Sequence, residues 1–406
     1  MTASQFSSTR LARAKAILRQ HVERDVREGG IPGLVALVSR RGEVHVEALG
    51  VSDLSSATPM GRDAIFRISS MTKPITAAAA LILVEECKLR LDDPVDPWLP
   101  ELAGRRVLRR LDGPLDDTVP ARRAISLRDL LTFRMGFGQL MAPPDAYPIS
   151  RAAHEQQIGM GAPQPSALPA PDEWLRRLGD LPLMAQPGER WHYNTASDVL
   201  GVLIARCSGQ ALPTFLRERL FDPLGMQDTG FSVPEHAASR LTTSYFNDFQ
   251  TGELAVYDPV GGQWSHPPAF PSGAAGLVSS IADYYAFAQM LLDHGRHNNQ
   301  RVLSRAAVEL MTSDQLSVEQ RALGGLLPGD FDHQGWGFGV SVVTRRQELS
   351  APVGSYGWDG GLGTTWVNDP SEGVIALLMT TRLWTSPRRP PVALDFATAV
   401  YQALEG

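Results

Sequence analysis

Only three lysines occur in this chain, Lys15, Lys73 and Lys88, although it carries 38 Lys+Arg residues in all. Arginine supplies the positive charge elsewhere, and arginine does not give up its proton in a protein. A position that keeps lysine against such a background is a candidate for an amine that must become neutral. Lys73 stands three residues after a serine, in Ser70-Met71-Thr72-Lys73-Pro74. Ser-x-x-Lys is the spacing by which a lysine can activate a serine nucleophile. A chance tetrad of this kind is common, so its setting carries the weight. The apolar run 77–83 is good helix material and puts Ser70 at a helix start, where Pro74 is tolerated. Residues three apart share one helix face, and the helix N-terminus offers partial positive charge and free N–H groups to an oxyanion.

The elements that must position this pair follow from length and pattern. The chain has 406 residues, 43% of them hydrophobic and 20% charged, with net charge −6. That is globular composition with length enough for a large core or two lobes. Mild acidity and the lack of a basic stripe argue against nucleic acid. The first 30 residues show no secretory h-region, and no run reaches the ~18 apolar residues of a membrane span. Cys87 and Cys207 lie in apolar runs and read as buried thiols rather than a disulfide, so a reduced, cytoplasmic setting is expected.

Residues 9–27 read as an amphipathic helix with Leu11, Ala14, Leu18 and Val22 on one stripe. Runs 34–39 and 43–49 read as a hairpin about Arg41-Gly42. Near the other end, 336–343, 363–368 and 373–379 read as strands and 392–404 as a helix. Helical runs at 75–87, 196–207 and 281–292 fill the middle. The expected fold class is therefore α/β: an antiparallel sheet of five or more strands flanked by terminal helices, with an inserted, mostly helical lobe and the active site between lobes. The boundaries read as 1–68 and 270–406 for the α/β lobe and 69–269 for the helical one. The Pro-, Ala- and Gln-rich stretch 142–172 has no period and reads as a loop beside the active site.

Two further runs complete the pattern. Tyr193-Asn194-Thr195 precedes a helix, and Gly357-Trp358-Asp359-Gly360-Gly361 approaches a strand. With Ser70-x-x-Lys73, their order and spacing resemble the serine β-lactamase and penicillin-binding-protein superfamily over nearly the whole chain. The likeness is strongest to class C β-lactamases and family VIII carboxylesterases. It implies that Ser70 is the nucleophile, Lys73 its paired lysine and Tyr193 the tyrosine of a Tyr-x-Asn motif. It implies that Trp358-Asp359-Gly360 replaces a Lys-Thr-Gly motif, and that the backbone N–H groups of Ser70 and Gly361 form the oxyanion hole. Phe133 and Phe137 match the region facing the nucleophile, so they join Trp358, Asp359 and Gly360 as expected substrate contacts.

The sequence departs from the β-lactamase pattern at two places. Thr195 stands where the motif has asparagine, and Trp358 stands where a lysine would hold the substrate carboxylate. Tryptophan offers an aromatic face and one N–H but no charge. The resemblance therefore implies a carboxylesterase-type serine hydrolase acting on small or medium esters through an acyl-enzyme on Ser70. A β-lactamase or D-Ala-D-Ala peptidase is one alternative, and an acyltransferase using the same acyl-enzyme is another. Arg382, after an expected strand, could replace the missing lysine. A lysine–tyrosine pair sharing one proton would accept the Ser70 proton, with either member as base. Asp359 reads equally as a loop-capping hydrogen bonder, and His192 could tune Tyr193. No metal or cofactor motif is present: His294 and His297 lack acidic or cysteine partners, and no phosphate loop or Gly-x-Ser-x-Gly elbow occurs. The expected partner is a small-molecule ester.

Overall fold

A computed structural model describes residues 6–143, 145–248 and 250–404. Pro144 of the 142–172 stretch and the first five residues lie outside the described residues. The chain folds around an eight-stranded antiparallel sheet. Its strands are β1 (Gly33–Arg40), β2 (Glu43–Asp53), β3 (Thr58–Pro59), β4 (Gln334–Trp336), β5 (Ser341–Val343), β6 (Tyr356–Gly360), β7 (Thr364–Asp369) and β8 (Val374–Thr380). The spatial order is β4-β5-β6-β7-β8-β1-β2-β3, so β1 pairs with β8 from the far end of the chain, Leu37 opposite Leu377. The β1–β2 turn places Arg41 at φ 49° and Gly42 at φ 89°. Two left-handed residues in a two-residue loop match the twist of the flanking strands.

β1 is buried along its full length because both sheet faces are covered. Leu34, Ala36 and Val38, with Val374, Ala376 and Leu378, meet the terminal helices α1 (Ser8–Glu23) and α5 (Pro391–Ala403) through Leu18, Val392, Phe396 and Val400. Val35, Leu37, Ile375, Leu377 and Met379 alternate onto the opposite face and join the main core. That core includes α2 (Thr72–Glu85), α3 (Thr195–Ser208) and α4 (Ile281–Leu292). α2 is buried continuously from Thr72 to Leu83, the all-round apolar pattern of a central helix. No single helix among the described residues is long and apolar enough to cross a membrane.

Several expectations need correction. The run 336–343 is two strands, β4 and β5, joined through a turn. The glycine-rich run before β7 is itself a strand, β6, hydrogen-bonded to both β5 and β7. Glycine weakens a strand when judged alone, but here it lets backbones approach. Cys87 is exposed, at φ 58° just beyond the end of α2, while Cys207 is buried; both thiols are free. The 142–172 stretch also contains a helix, Pro148–Glu155.

Gly360 fixes where the sheet meets the turn that leads into α2. A Cβ there would lie 2.3 Å from the Ile68 carbonyl oxygen and 2.3 Å from Thr364 Oγ1. The adjacent Gly361 has nothing within 4 Å of a Cβ position. Gly360→Ala must push β6 away from the turn before Ser70, a backbone-against-backbone clash costing about 2–4 kcal/mol. Thermal unfolding should show a Tm several degrees lower for Gly360→Ala, and one close to the parent for Gly361→Ala. Equal Tm values would show that β6 does not need this approach.

Candidate active site

Ser70 is delivered by a short strand and a tight turn. Ile65–Arg67 pairs with Val278–Ser280, and the Ile68 N–H donates to the Leu277 carbonyl at 3.0 Å. Arg67 is buried behind it, its Nε donating to Asp258 Oδ2 at 2.8 Å. Ser69 then takes φ 47° within a 3₁₀ turn (Ser69–Met71) that runs into α2. A non-glycine residue in this region is strained and is held only by its surroundings. The Tyr284 hydroxyl donates to the Met71 carbonyl at 3.0 Å, and the Leu277 N–H donates to Thr72 Oγ1 at 3.2 Å.

One turn on, Lys73 is fully buried. Its Nζ donates to Ser70 Oγ at 2.9 Å, Asn194 Oδ1 at 2.8 Å and the Ala274 carbonyl at 2.8 Å. An ammonium has three donors, and all three are matched. The Tyr193 ring lies beside it, with Nζ 4.5 Å from the ring centroid. Burial nevertheless favours the neutral amine and pulls Lys73 down to about 7, against the opposing charge of Asp198. The carboxyl of Asp198, itself buried, is pushed up to about 6 by the same desolvation.

Tyr193 precedes α3. Its oxygen accepts from Trp358 Nε1 at 2.9 Å and is hydrogen-bonded to Ser70. Burial pushes its phenol well above 10, and these two bonds only partly offset that. Among the two groups read from sequence as a proton-sharing pair, lysine is thus the one driven towards neutrality, and tyrosine keeps its proton. Phe133 and Phe137, expected at the cleft, are instead fully buried and do not line it. Phe133 packs against Tyr193 and Trp191, so it backs the tyrosine from inside the core. His192 is held neutral, near 4, by burial and by Arg190.

Asn194 is the residue that sequence reasoning passed over. The expected motif position is Thr195, whose hydroxyl points to Met160 Sδ at 4.0 Å. Asn194 adopts φ 79° and ψ −68°, and the Thr195 N–H donates to the Tyr193 carbonyl at 3.2 Å. This is a γ-turn of the rare positive-φ kind. It swings the asparagine of the second position onto Lys73. The signal was an asparagine one place early, a residue type that tolerates positive φ.

The cleft in front of Ser70 holds about 660 Å³. Tyr193, Asn194, Trp358, Asp359 and Gly361 line it with Ser70, while Gly360 sits behind as the close-approach glycine. The remaining walls come from residues 161–164, from Phe246 and Tyr257, and from 383–387. The stretch 142–172 therefore does border the cleft. Asp359 is held by Arg389, whose Nε and Nη2 donate at 2.8 and 3.0 Å, so its charge is neutralised in place. Arg382 does not stand in for the missing lysine. It is buried, with Nε donating to Asn247 Oδ1 at 3.0 Å and Nη1 to the Val26 carbonyl at 2.8 Å.

Known proteins resemble this one in sequence and fold. Protein Rv1367c of Mycobacterium tuberculosis is 39% identical over 384 residues, covering 93% of this chain and 91% of its own. Esterase EstB of Burkholderia gladioli is 29% identical over 422 residues, covering 99% of this chain and 100% of its own. The solved structure of EstCE1, described as a hydrolase with promiscuous acyltransferase activity, superposes with TM-score 0.80 at 27% identity, covering 97% of this chain and 100% of that one. The family match spans residues 18–397, and the chain belongs to the Beta-lactamase family.

Proposed function

We propose that this protein is a serine esterase that cleaves small or medium carboxylic esters through an acyl-enzyme on Ser70. The observation that carries the reading is the buried amine of Lys73, 2.9 Å from Ser70 Oγ and pulled towards neutrality near pH 7. A neutral amine at that distance is within reach of the hydroxyl proton. Ser70 Oγ attacks the ester carbonyl carbon while its proton passes to Lys73. The oxyanion takes hydrogen bonds from the Ser70 and Gly361 N–H groups. Collapse breaks the bond to the leaving alkoxide, which receives a proton from the Tyr193 hydroxyl, and Lys73 restores the tyrosine's proton. A water then attacks the acyl-enzyme by the reverse sequence and releases the acid. Trp358 positions Tyr193 through its indole N–H and forms an uncharged wall beside the ester. The name of Esterase EstB supports ester hydrolysis, and the description of EstCE1 as a hydrolase supports hydrolysis.

The wall also favours neutral substrates over β-lactams. A β-lactam carries a carboxylate, and burying it without a partner is costly. Trp358 is neutral, Asp359 is paired with Arg389, and Arg382 is tied up elsewhere. Acyl transfer to an alcohol is the second reading. It is supported by the size of the cleft, about 660 Å³, and by the acyltransferase activity described for EstCE1.

The direct experiment is turnover of short-chain p-nitrophenyl esters beside a chromogenic cephalosporin, with a fluorophosphonate probe to mark the nucleophile. We expect label on Ser70, no turnover by Ser70→Ala, and a kcat/KM for esters at least ~10³-fold above that for the cephalosporin, roughly 4 kcal/mol. Trp358→Lys should narrow that ratio. Label on another serine, or equal rates on both substrates, would overturn the reading.

A second expectation concerns pH. A base of pKa near 7 must be deprotonated to act, so kcat/KM should fall about tenfold per unit below pH 7 and level off above it. Lys73→Arg should lose at least ~10²-fold at and above pH 7, because arginine keeps the charge but stays protonated. An active Lys73→Arg enzyme would make Lys73 an electrostatic partner only.

A third separates bonding from backbone strain at Asn194. Asn194→Gly tolerates positive φ but removes the Lys73 acceptor, whereas Asn194→Ala removes the acceptor and strains the turn. Both should lower kcat about tenfold or more and both lose stability through the unmatched Lys73 donor, the alanine variant by about 1 kcal/mol more than the glycine variant by thermal melting. A fully active Asn194→Gly enzyme would show that this bond is dispensable.

A further inference from the structure

A second cavity of about 410 Å³ lies beside the cleft and shares residues 161–164 with it as a wall. Asn194 and Ala275 also border both, and Asp198 of α3 lines the second cavity. Asp198 is 4% exposed. Its carboxylate acts on the charge of Lys73, in the first turn of α2. Ser272 Oγ donates to Asp198 Oδ1 at 2.6 Å, and the Ala274 N–H donates to the same oxygen at 3.1 Å. Ser272 Oγ in turn accepts from the Ala274 and Ala275 N–H groups at 3.3 and 3.0 Å. The carbonyl of Ala274 accepts from Lys73 Nζ at 2.8 Å. Asp198 thus grips the N–H side of the one peptide loop whose C=O side grips the lysine.

We propose that Asp198 is a positioning residue for the esterase chemistry: its clamp on residues 272–274 holds the Ala274 carbonyl against Lys73. The inference rests on the esterase reading of Ser70 and Lys73. It assigns Asp198 no contact with substrate.

The charge acts in one direction. An ionised carboxylate favours the Lys73 ammonium, and removing it favours the free amine. Tyr193 faces Lys73 from the segment before α3, and it stays protonated. His154, from the helix Pro148–Glu155, lines the second cavity with Asp198. Asp359 acts on Tyr193 from β6. Asparagine at 198 keeps an oxygen for Ser272 and Ala274 but loses the charge, so it separates charge from clamp. Alanine at 272 loses part of the clamp and keeps the charge.

The test is the pH profile of kcat/KM on a p-nitrophenyl ester for the parent, Asp198→Asn and Ser272→Ala proteins, with fluorophosphonate labelling of Ser70 in each. For Asp198→Asn the acidic limb should move to lower pH by about one unit, with Ser70 still labelled. For Ser272→Ala kcat should drop several-fold with KM little changed. An unmoved limb in folded, labelled Asp198→Asn protein overturns the charge role. A parent-like kcat in Ser272→Ala overturns the clamp, and this arm still decides should the asparagine variant fail to fold. Failure to label Ser70 in the parent is a different result, because it removes the esterase reading itself.

Discussion

The structure is organised around keeping one amine out of water. Lys73 is sealed in the core, where a charged ammonium is costly unless every N–H finds an acceptor. Each of its three acceptors comes from a different part of the chain: Ser70 from the turn before α2, Asn194 from the γ-turn before α3, and Ala274 from the loop before Val278–Ser280. These segments are fixed by their own contacts, so the amine sits in a cage that it did not build. Matching three donors makes the charged form tolerable, while desolvation keeps the neutral form within reach near pH 7. In the proposed chemistry Lys73 is the base, and a base is useful when the two forms are close in free energy, a closeness this cage supplies.

The second constraint is steric. Ser70 lies at the N-terminal end of a helix that belongs to one packing layer, and Gly361 follows a strand that belongs to another. The two meet only because Gly360 has no side chain between the strand and the Ile68 carbonyl. Trp358, two residues earlier on β6, then reaches the Tyr193 oxygen, so one strand places both the wall and the partner of the tyrosine. The sheet is therefore more than a scaffold. Its approach to the helix brings Gly361 to the cleft that Ser70 also lines.

Residues whose spacing is local were legible from the sequence. Ser70 and Lys73 are one turn apart, and Tyr193 directly precedes a helix with a clear apolar run, so their placement follows from periodicity and motif. The terminal helices and the β1–β2 hairpin were legible for the same reason. Asn194 was not, because its reach depends on a backbone angle that residue type permits but does not announce. Phe133 and Phe137 were placed in the cleft because their run matches the region facing the nucleophile in the resembling superfamily, and only packing shows that both rings turn into the core. β6 was missed because its glycines disfavour a strand in isolation, and the cost is offset by pairing on both sides. The wall at 161–164 was legible as part of the aperiodic stretch 142–172, whereas the wall at 383–387 joins it only through long-range topology, which no local pattern encodes.

The pairing of β1 with β8 has a consequence for how the molecule is made. β1 is an apolar run, and the strand that covers its open edge, β8, lies far downstream and is synthesised long after it. Until then only β2 flanks it, and neither terminal-helix packing nor the central sheet can be completed. Contacts between such distant residues form slowly and leave strand edges exposed in the meantime. Nascent chains should therefore depend on holding factors more than the finished protein does. Once closed, the sheet ends on the three-residue β4 and on the two-residue β3 with its Pro59, edges too short to recruit another strand.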